Sequence, residues 1–308
     1  MDNANVKFNE LKVDKEDSCV MYNDELHKYW TKKTNQACIS ATTLIHKFGT
    51  FDPIFWSAYK TLESLITEDE FKTIKPTLLD RKNFKDEHYE SFGITKETFE
   101  ERKAEILKEW DRKRDESCIR GTAIHKQMED GHLDGKTAEL QYLNLGGSFK
   151  TDITNNLKPG EQGVYPELLL SRVSDDGELR IAGQADLIIV DGYDVYILDY
   201  KTGKKMDTKS YFDRKLKRSS KMKYPLNNLD DCNFMHYSMQ LSLYAWMIQK
   251  ANPLFNIKML LLIHIDHDGN VKNYECDYLK ADVERMLGYY KTQIKNEEFK
   301  KSREKIVF

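Results

Sequence analysis

Apolar and polar positions divide the chain into a helix-rich first third and a strand-rich middle. "MYNDELHKYW" and "ACIS" flank the polar "TKKTNQ" and predict a hairpin. Ser40 is placed to cap a helix beginning "ATTLIHKF". "FDPIFWSAYKTLESLI" carries Pro53 early and apolar residues at helical spacing, which predicts a second helix. Residues 67–95 are polar, with short helical pieces and a break at Pro76. Phe99, Ile106, Trp110, Ile124 and Met128 then recur at roughly helical spacing and predict a long helix from Lys96 to Asp130. Gly121 interrupts it; the glycine either permits close backbone approach or starts a new helix capped by Thr122.

Residues 131–163 read as Gly- and Asn-containing loop with some helix. Strand patterns follow: "YPELLLSRV", "LRIAGQADLIIV" and "VYILDYK", separated by the turns "SDDGE" and "DGYD". The Asp-Gly chemistry of both turns predicts an antiparallel meander. "FMHYSMQLSLYAWMIQKA" is helical by its apolar stripe, "IKMLLLIHID" and "VKNYECD" form a hairpin across "HDGN", and "KADVERMLGYYKTQIKN" is a final helix. A mixed sheet in the middle with helices around it is an α/β (α+β) architecture. Residues 1–115 are the expected N-terminal hairpin and helical region, and 116–308 the expected core, with no internal repeat and no clear linker between them.

Composition narrows the class. The 308 residues are 40% hydrophobic and 32% charged, a globular balance, and no stretch approaches the roughly 18 apolar residues of a membrane span. The opening "MDNANVKFNE" resembles neither a secretory signal nor an Arg-rich transit peptide, so a cytoplasmic location, in a bacterial cell or a phage-infected host, is the expectation. Five scattered cysteines without a C-x-x-C pair predict free thiols rather than zinc or an iron–sulfur cluster. Charge is unevenly spread. Between Lys201 and Lys223 ten Lys or Arg face only Asp207 and Asp213, a surplus of eight in a chain of net charge −3, so the remainder carries −11. Tyr211, Phe212 and Tyr224 interleave with the basic residues, a combination that suits phosphate contact and base stacking.

Charged residues interrupt the apolar strand runs at a few places. Glu167 opens "ELLL", Asp186 sits between "GQA" and "LIIV", and Asp199 and Lys201 close "VYIL". Alternation in a strand points Asp199 and Lys201 to one side, and the "DGYD" turn can bring Asp186 beside Asp199. Two dry carboxylates repel; a divalent cation removes the repulsion, and hard oxygen ligands suit Mg²⁺ or Mn²⁺. A lysine next to such an ion can support charge building on a phosphorus-bound oxygen. Alone, Asp-x-Lys also describes a solvated strand end with a surface ion pair, His125 in "GTAIH" also describes a structural histidine, and Gln240 and Tyr244 in "QLSLY" also describe a helix edge.

Taken in order, "GTAIH", "GQAD", "LDYKTGK" and "QLSLY" resemble the RecB-like branch of the PD-(D/E)xK nuclease superfamily, over about Arg120 to Tyr244. "YNDELHKYW", "ISATTLIHKF" and "FDPIFW" look similar to phage-encoded and mitochondrial genome maintenance exonucleases of that branch. The resemblance implies a restriction-endonuclease-like core, with the helical N-terminal part arching over the site so that a strand threads through. It implies metal ligation by His125, Asp186, Asp199 and the Tyr200 carbonyl, with Lys201 as the catalytic lysine and Glu167 orienting water or a second metal. Gln240 and Tyr244 would contact DNA or brace the lysine. Lys204, Lys205, Lys209, Arg214, Lys215, Lys217 and Arg218 would follow the DNA backbone. Some relatives carry an iron–sulfur cluster on four cysteines; the cysteines here do not match that pattern, so none is expected.

The implied activity is a Mg²⁺- or Mn²⁺-dependent deoxyribonuclease, an exonuclease preferring single-stranded or frayed DNA ends in replication, recombination or repair. Other proteins of those processes are its implied partners. Alternatives are a structure-specific flap or branch endonuclease and a nucleic-acid-binding module that does not cut.

Overall fold

The computed structural model describes residues 6–7, 20–23, 28–31, 34–79, 86–131, 138–147, 149–152, 156–174, 176–213 and 217–304. In chain order the elements are β1 (Val6–Lys7), β2 (Val20–Asn23), β3 (Lys28–Thr31), β4 (Ala37–Ser40), α1 (Ala41–His46), α2 (Pro53–Leu65), α3 (Glu68–Leu78), a 3₁₀ turn (Asp86–Phe92), α4 (Lys96–Gly131), α5 (Ala138–Tyr142), β5 (Lys150–Thr151) and β6 (Asn156–Leu157). They continue with β7 (Glu161–Val173), β8 (Arg180–Gly192), β9 (Asp194–Thr202), β10 (Phe212–Asp213), β11 (Arg218–Ser219), α6 (Asn233–Ala251), β12 (Asn256–Ile265), β13 (Val271–Cys276) and α7 (Lys280–Glu304).

Two compact units result. One comprises residues 1–50 and 122–308, the other residues 51–121. The expected division at residue 115 therefore changes. The N-terminal hairpin joins the sheet unit because β4 pairs in parallel with β8 through Ile39↔Ile181 and Ser40↔Ala182. The second unit is helical. Asp52 caps α2 with Pro53 in its first turn, and Thr67 and Glu70 form a capping box on α3. Phe55, Tyr59, Phe71 and Phe99 bury a small aromatic core of their own. Pro76 does not break α3, which ends two residues later at Leu78; so near a helix end the proline forfeits one bond without redirecting the chain. Gly121 does not interrupt α4 either, as that helix runs unbroken to Gly131.

In the first unit a nine-stranded mixed sheet is the organising element. The expected meander is present: β7 pairs antiparallel with β8, and β8 antiparallel with β9. Gly192 makes the β8–β9 turn with φ +65°, a conformation glycine adopts without a Cβ penalty. β12 joins parallel to β9, and β13 closes that edge as the expected hairpin partner. Helices cover both faces. α6 and α7 pack on one side, where Ile188, Ile197, Leu241, Met247 and Leu262 are fully buried. Ile124 and Met128 of α4 and Leu140 of α5 pack on the other, against Leu187, Leu198 and Tyr200. Ser40 caps α1 as its sequence position predicts, accepting a bond from the Thr43 N–H at 3.1 Å. Among the described residues no helix is long and apolar enough to cross a membrane.

Candidate active site

The sheet forks at one place. β7 occupies one edge of β8 along its whole length, from Val173↔Arg180 to Glu161↔Gly192. The other edge is shared: β9 pairs with Leu187–Asp191, and β4 with Ile181 and Ala182. Gly183, Gln184, Ala185 and Asp186 lie between these two ladders. Leu187↔Leu198 is the last β8–β9 pair, so Asp186 and Asp199 are the first residues beyond it. On the β7 side Glu167 falls opposite Asp186, between the pairs Pro166↔Leu187 and Leu168↔Ala185. Register alone therefore lines up Glu167, Asp186 and Asp199 across three neighbouring strands.

Glu167 takes φ +49°, a left-handed conformation that costs a side-chain-bearing residue roughly 1–2 kcal/mol. Gln184 Nε2 holds its carboxylate at 2.6 Å. Asp186 accepts the Tyr200 N–H at 2.7 Å, a bond in place of the ladder that stops one step earlier. His125, from the last turns of α4, stands 3.4 Å from Asp186 through Nδ1, and its Nε2 lies 3.1 Å from the Tyr200 carbonyl. His125, Glu167 and Asp186 each offer a ligand atom, and the three atoms lie within 4.8 Å of one another. Ligands about 2.1 Å from a Mg²⁺-sized ion sit roughly 3–4 Å apart, so small side-chain shifts suffice for one ion to meet all three. Two carboxylates and an imidazole suit a divalent cation of that kind.

Asp199 is placed differently from the expected ligand set. Its Oδ2 meets Lys201 Nζ at 2.5 Å, and Glu167 stands third in the cluster with His125 and Asp186. The Lys201 ammonium also lies 4.7 Å from the centre of the Tyr237 ring on α6. Electrostatics follow from this crowding. Burial, then the Asp186 charge, raise the Asp199 carboxyl above the usual carboxylate range. Burial would lower Lys201, but the Asp199 and Asp186 charges overcome it and hold the ammonium charged. Burial would likewise lower His125, yet the Asp186 bond and charge push it up to about 9.

The other expected residues separate. Gln240 and Tyr244 are both buried, and Gln240 Nε2 donates to the Tyr244 hydroxyl at 2.9 Å. Direct DNA contact by Tyr244 is therefore corrected to packing: its ring fills the space above Gly183, where an added Cβ would lie 2.6 Å from Tyr244 Cε1. Gln240 makes no hydrogen bond to Lys201. Lys204, Lys205, Lys209 and Lys217 are exposed. Lys205 pairs with Asp207 at 2.6 Å, whereas Lys204, Lys209 and Lys217 form no ion pair with a described residue. Arg218 lies in β11, and Arg214 and Lys215 fall outside the described residues. Tyr211, Phe212 and Tyr224 are exposed as the basic segment anticipates. Sequence reading missed Gln184, Tyr237 and Glu139, which accepts the Tyr200 hydroxyl at 2.8 Å. Gln184 lay within the recognised "GQAD"; Glu139 fell in a stretch read as loop, where no periodic signal marks it.

A family model of the PD-(D/E)XK nuclease superfamily matches residues 79–305. Comparison with curated protein sequences finds no match. Among solved structures the chain is similar to SSO0001, at 15% identity and TM-score 0.35, covering 84% of this chain and 76% of that one. It is also similar to a candidate exonuclease from Eubacterium rectale, at 11% identity and TM-score 0.34, covering 85% and 82%.

Proposed function

The chain belongs to the PD-(D/E)XK nuclease superfamily, and from that premise we propose that it is a Mg²⁺- or Mn²⁺-dependent deoxyribonuclease that digests single-stranded or frayed DNA from an end. The observation that carries the reading is the fork. His125, Glu167 and Asp186 converge within 4.8 Å, and a charged, half-sequestered lysine stands on the next strand. When bound there, a divalent cation supplies Lewis-acid chemistry, polarising the scissile phosphate and activating water. The chain's own residues do the rest. His125, Asp186 and Glu167 hold the site, and Gln184 keeps Glu167 turned inward. Lys201 is drawn from Asp199 toward the phosphate and supports the charge that grows on its non-bridging oxygen as water attacks in line. Asp199, once free of the lysine, would offer a further oxygen ligand, as would the Tyr200 carbonyl.

Lys204, Lys205, Lys209 and Lys217, with the basic residues between them, form the track for the DNA backbone, and Tyr211, Phe212 and Tyr224 offer rings for unstacked bases. This pairing of cations with exposed rings favours single strands; the need for an end follows from the resemblance to genome maintenance exonucleases. Such an enzyme works in the cytoplasm, in replication, recombination or repair.

The deciding assay offers linear single-stranded, circular single-stranded and blunt duplex DNA with Mg²⁺ or Mn²⁺, to wild type, Asp199→Ala and Lys201→Ala. The expected result is digestion of the linear single strand by wild type alone, with the circle intact. Cutting of the circle turns the reading to an endonuclease. Inert wild type, or variants as active as wild type, would overturn the mechanism.

A further inference from the structure

Three bonds converge on one residue of β9. Tyr200 stands between Asp199 and Lys201. Its N–H donates to Asp186, its carbonyl meets His125, and its hydroxyl donates to Glu139 Oε1 at 2.8 Å. The first two bonds belong to the metal cluster. The third runs to α5, which covers the same face of the sheet as α4 and its His125, beside the apolar cluster of Leu140, Phe149, Leu198 and Ile263. Glu139 is buried there. A carboxylate in such a place costs several kcal/mol unless it is bonded, and an apolar residue would pack at lower cost. Burial, then the Glu139 charge, raise the Tyr200 hydroxyl far above its usual range.

Strand geometry gives the bond its leverage. Neighbouring side chains alternate faces, so the Tyr200 ring points to the face covered by α4 and α5, with its centre 6.2 Å from that of the His125 ring, while Asp199 and Lys201 point to the face of α6. Fixing that ring fixes the rotation of the strand at residue 200. The same rotation aims the Tyr200 N–H at Asp186 and the Tyr200 carbonyl at His125.

We infer that Glu139 is a positioning residue: through the Tyr200 hydroxyl it sets the strand geometry that holds Asp186 and His125 together for a divalent cation and presents Lys201 beside them. Glu139 itself touches neither DNA nor the cation. The inference rests on the nuclease reading above for its catalytic part, but its metal-binding part is measurable without any DNA.

The test uses the full chain as wild type, Glu139→Ala, Glu139→Gln, Tyr200→Phe and the Glu139→Ala/Tyr200→Phe double variant. Free Mn²⁺ is followed by electron paramagnetic resonance without DNA. Single-turnover cleavage at saturating DNA is followed across a Mn²⁺ series, with circular dichroism melts as the record of folding. Glu139→Ala and Tyr200→Phe are expected to bind Mn²⁺ about tenfold more weakly and to need correspondingly more Mn²⁺ for half-maximal rate. Their KM for DNA should stay within about twofold of wild type. Glu139→Gln keeps an acceptor for the phenol and should recover most of the loss, and the double variant should bind Mn²⁺ more tightly than the sum of the two single losses predicts, because the two changes share the Tyr200–Glu139 bond. Singles that bind Mn²⁺ as wild type does, with only a lower Tm, would reduce Glu139 to a stability role and overturn the inference. Should Glu139→Ala fail to fold, Tyr200→Phe decides, since it removes a single hydroxyl. Wild type that binds Mn²⁺ but cuts no DNA overturns the nuclease reading while the Mn²⁺ shift still judges the link; wild type that binds no Mn²⁺ overturns both.

Discussion

The fork and the basic segment carry most of the charge that matters here, and they are built in opposite ways. At the fork, Asp186 and Asp199 are buried and every charged group has a defined partner: Asp186 with Tyr200 and His125, Asp199 with Lys201, Glu167 with Gln184. Along the segment after Gly203, Lys204, Lys209 and Lys217 stand in solvent without a described counter-charge. Charges that must act at one atom need fixed geometry and accept the cost of burial. Charges that neutralise a phosphate chain need only be near it and stay hydrated, since much of the binding energy comes from released counterions. Low-dielectric surroundings magnify each interaction at the fork and screening mutes each one along the basic segment.

If that contrast holds, substitutions in the two regions should differ in kind. Lys201→Ala is expected to slow cleavage by about 10²–10³-fold in single-turnover assays at saturating DNA, the scale for losing one group that stabilises developing charge. Lys209→Ala in the same assay should change the rate little; an equal loss at Lys209 would erase the distinction.

pH should act on the fork first. His125 is pushed up to about 9 from an unperturbed value of 6.5, so in metal-free protein its proton favours the folded state. That stabilisation is fully present below pH 6.5 and is lost as pH rises through about 9. A cation needs the unprotonated imidazole, so the sign for metal is the reverse: Mn²⁺ affinity should climb roughly tenfold per pH unit between about pH 7 and 8. Calorimetric titration of wild type against His125→Ala reads this directly, and a pH-independent Mn²⁺ affinity would place the ion elsewhere.

Packing offers a third contrast. A Cβ at Gly183 would meet Tyr244 Cε1 at 2.6 Å, whereas one at Gly203 has nothing closer than His264 Nε2 at 3.9 Å. Gly183→Ala should cost about 1–3 kcal/mol by overpacking, and Gly203→Ala should stay within about 0.5 kcal/mol; chemical denaturation separates them. The smallest effect is expected in the basic segment. Lys204→Ala with Lys205→Ala should weaken DNA binding about equally for every sequence, and the salt slope should fall by about one for each of the two lysines that touches a phosphate. An unchanged slope would take these two lysines off the DNA path.

Much of this was legible in the chain because it depends on local periodicity. Alternating apolar runs with Asp-Gly turns marked β7, β8 and β9, and the apolar stripe marked α6. Strand alternation already put Asp199 and Lys201 on one side, and the "DGYD" turn already allowed Asp186 to come beside Asp199. Where propensity was read without context it misled: Pro76 and Gly121 both sit inside helices. The N-terminal hairpin looked like part of a helical region because parallel pairing to a strand some 140 residues away has no local signature.

The strands, their antiparallel meander and the charged residues at their ends all follow from spacing within a few residues, so the order of amino acids was enough to define them. How those charges are shared was settled by the folded chain alone. Folding set Glu167 beside His125 and Asp186, gave Asp199 to Lys201, buried Tyr244 against Gly183, and brought Glu139 under Tyr200. Those outcomes depend on where β4 and β9 leave β8, and on which helix covers which face. They are long-range pairings chosen by the burial of the whole core, not by any stretch of chain that takes part in them.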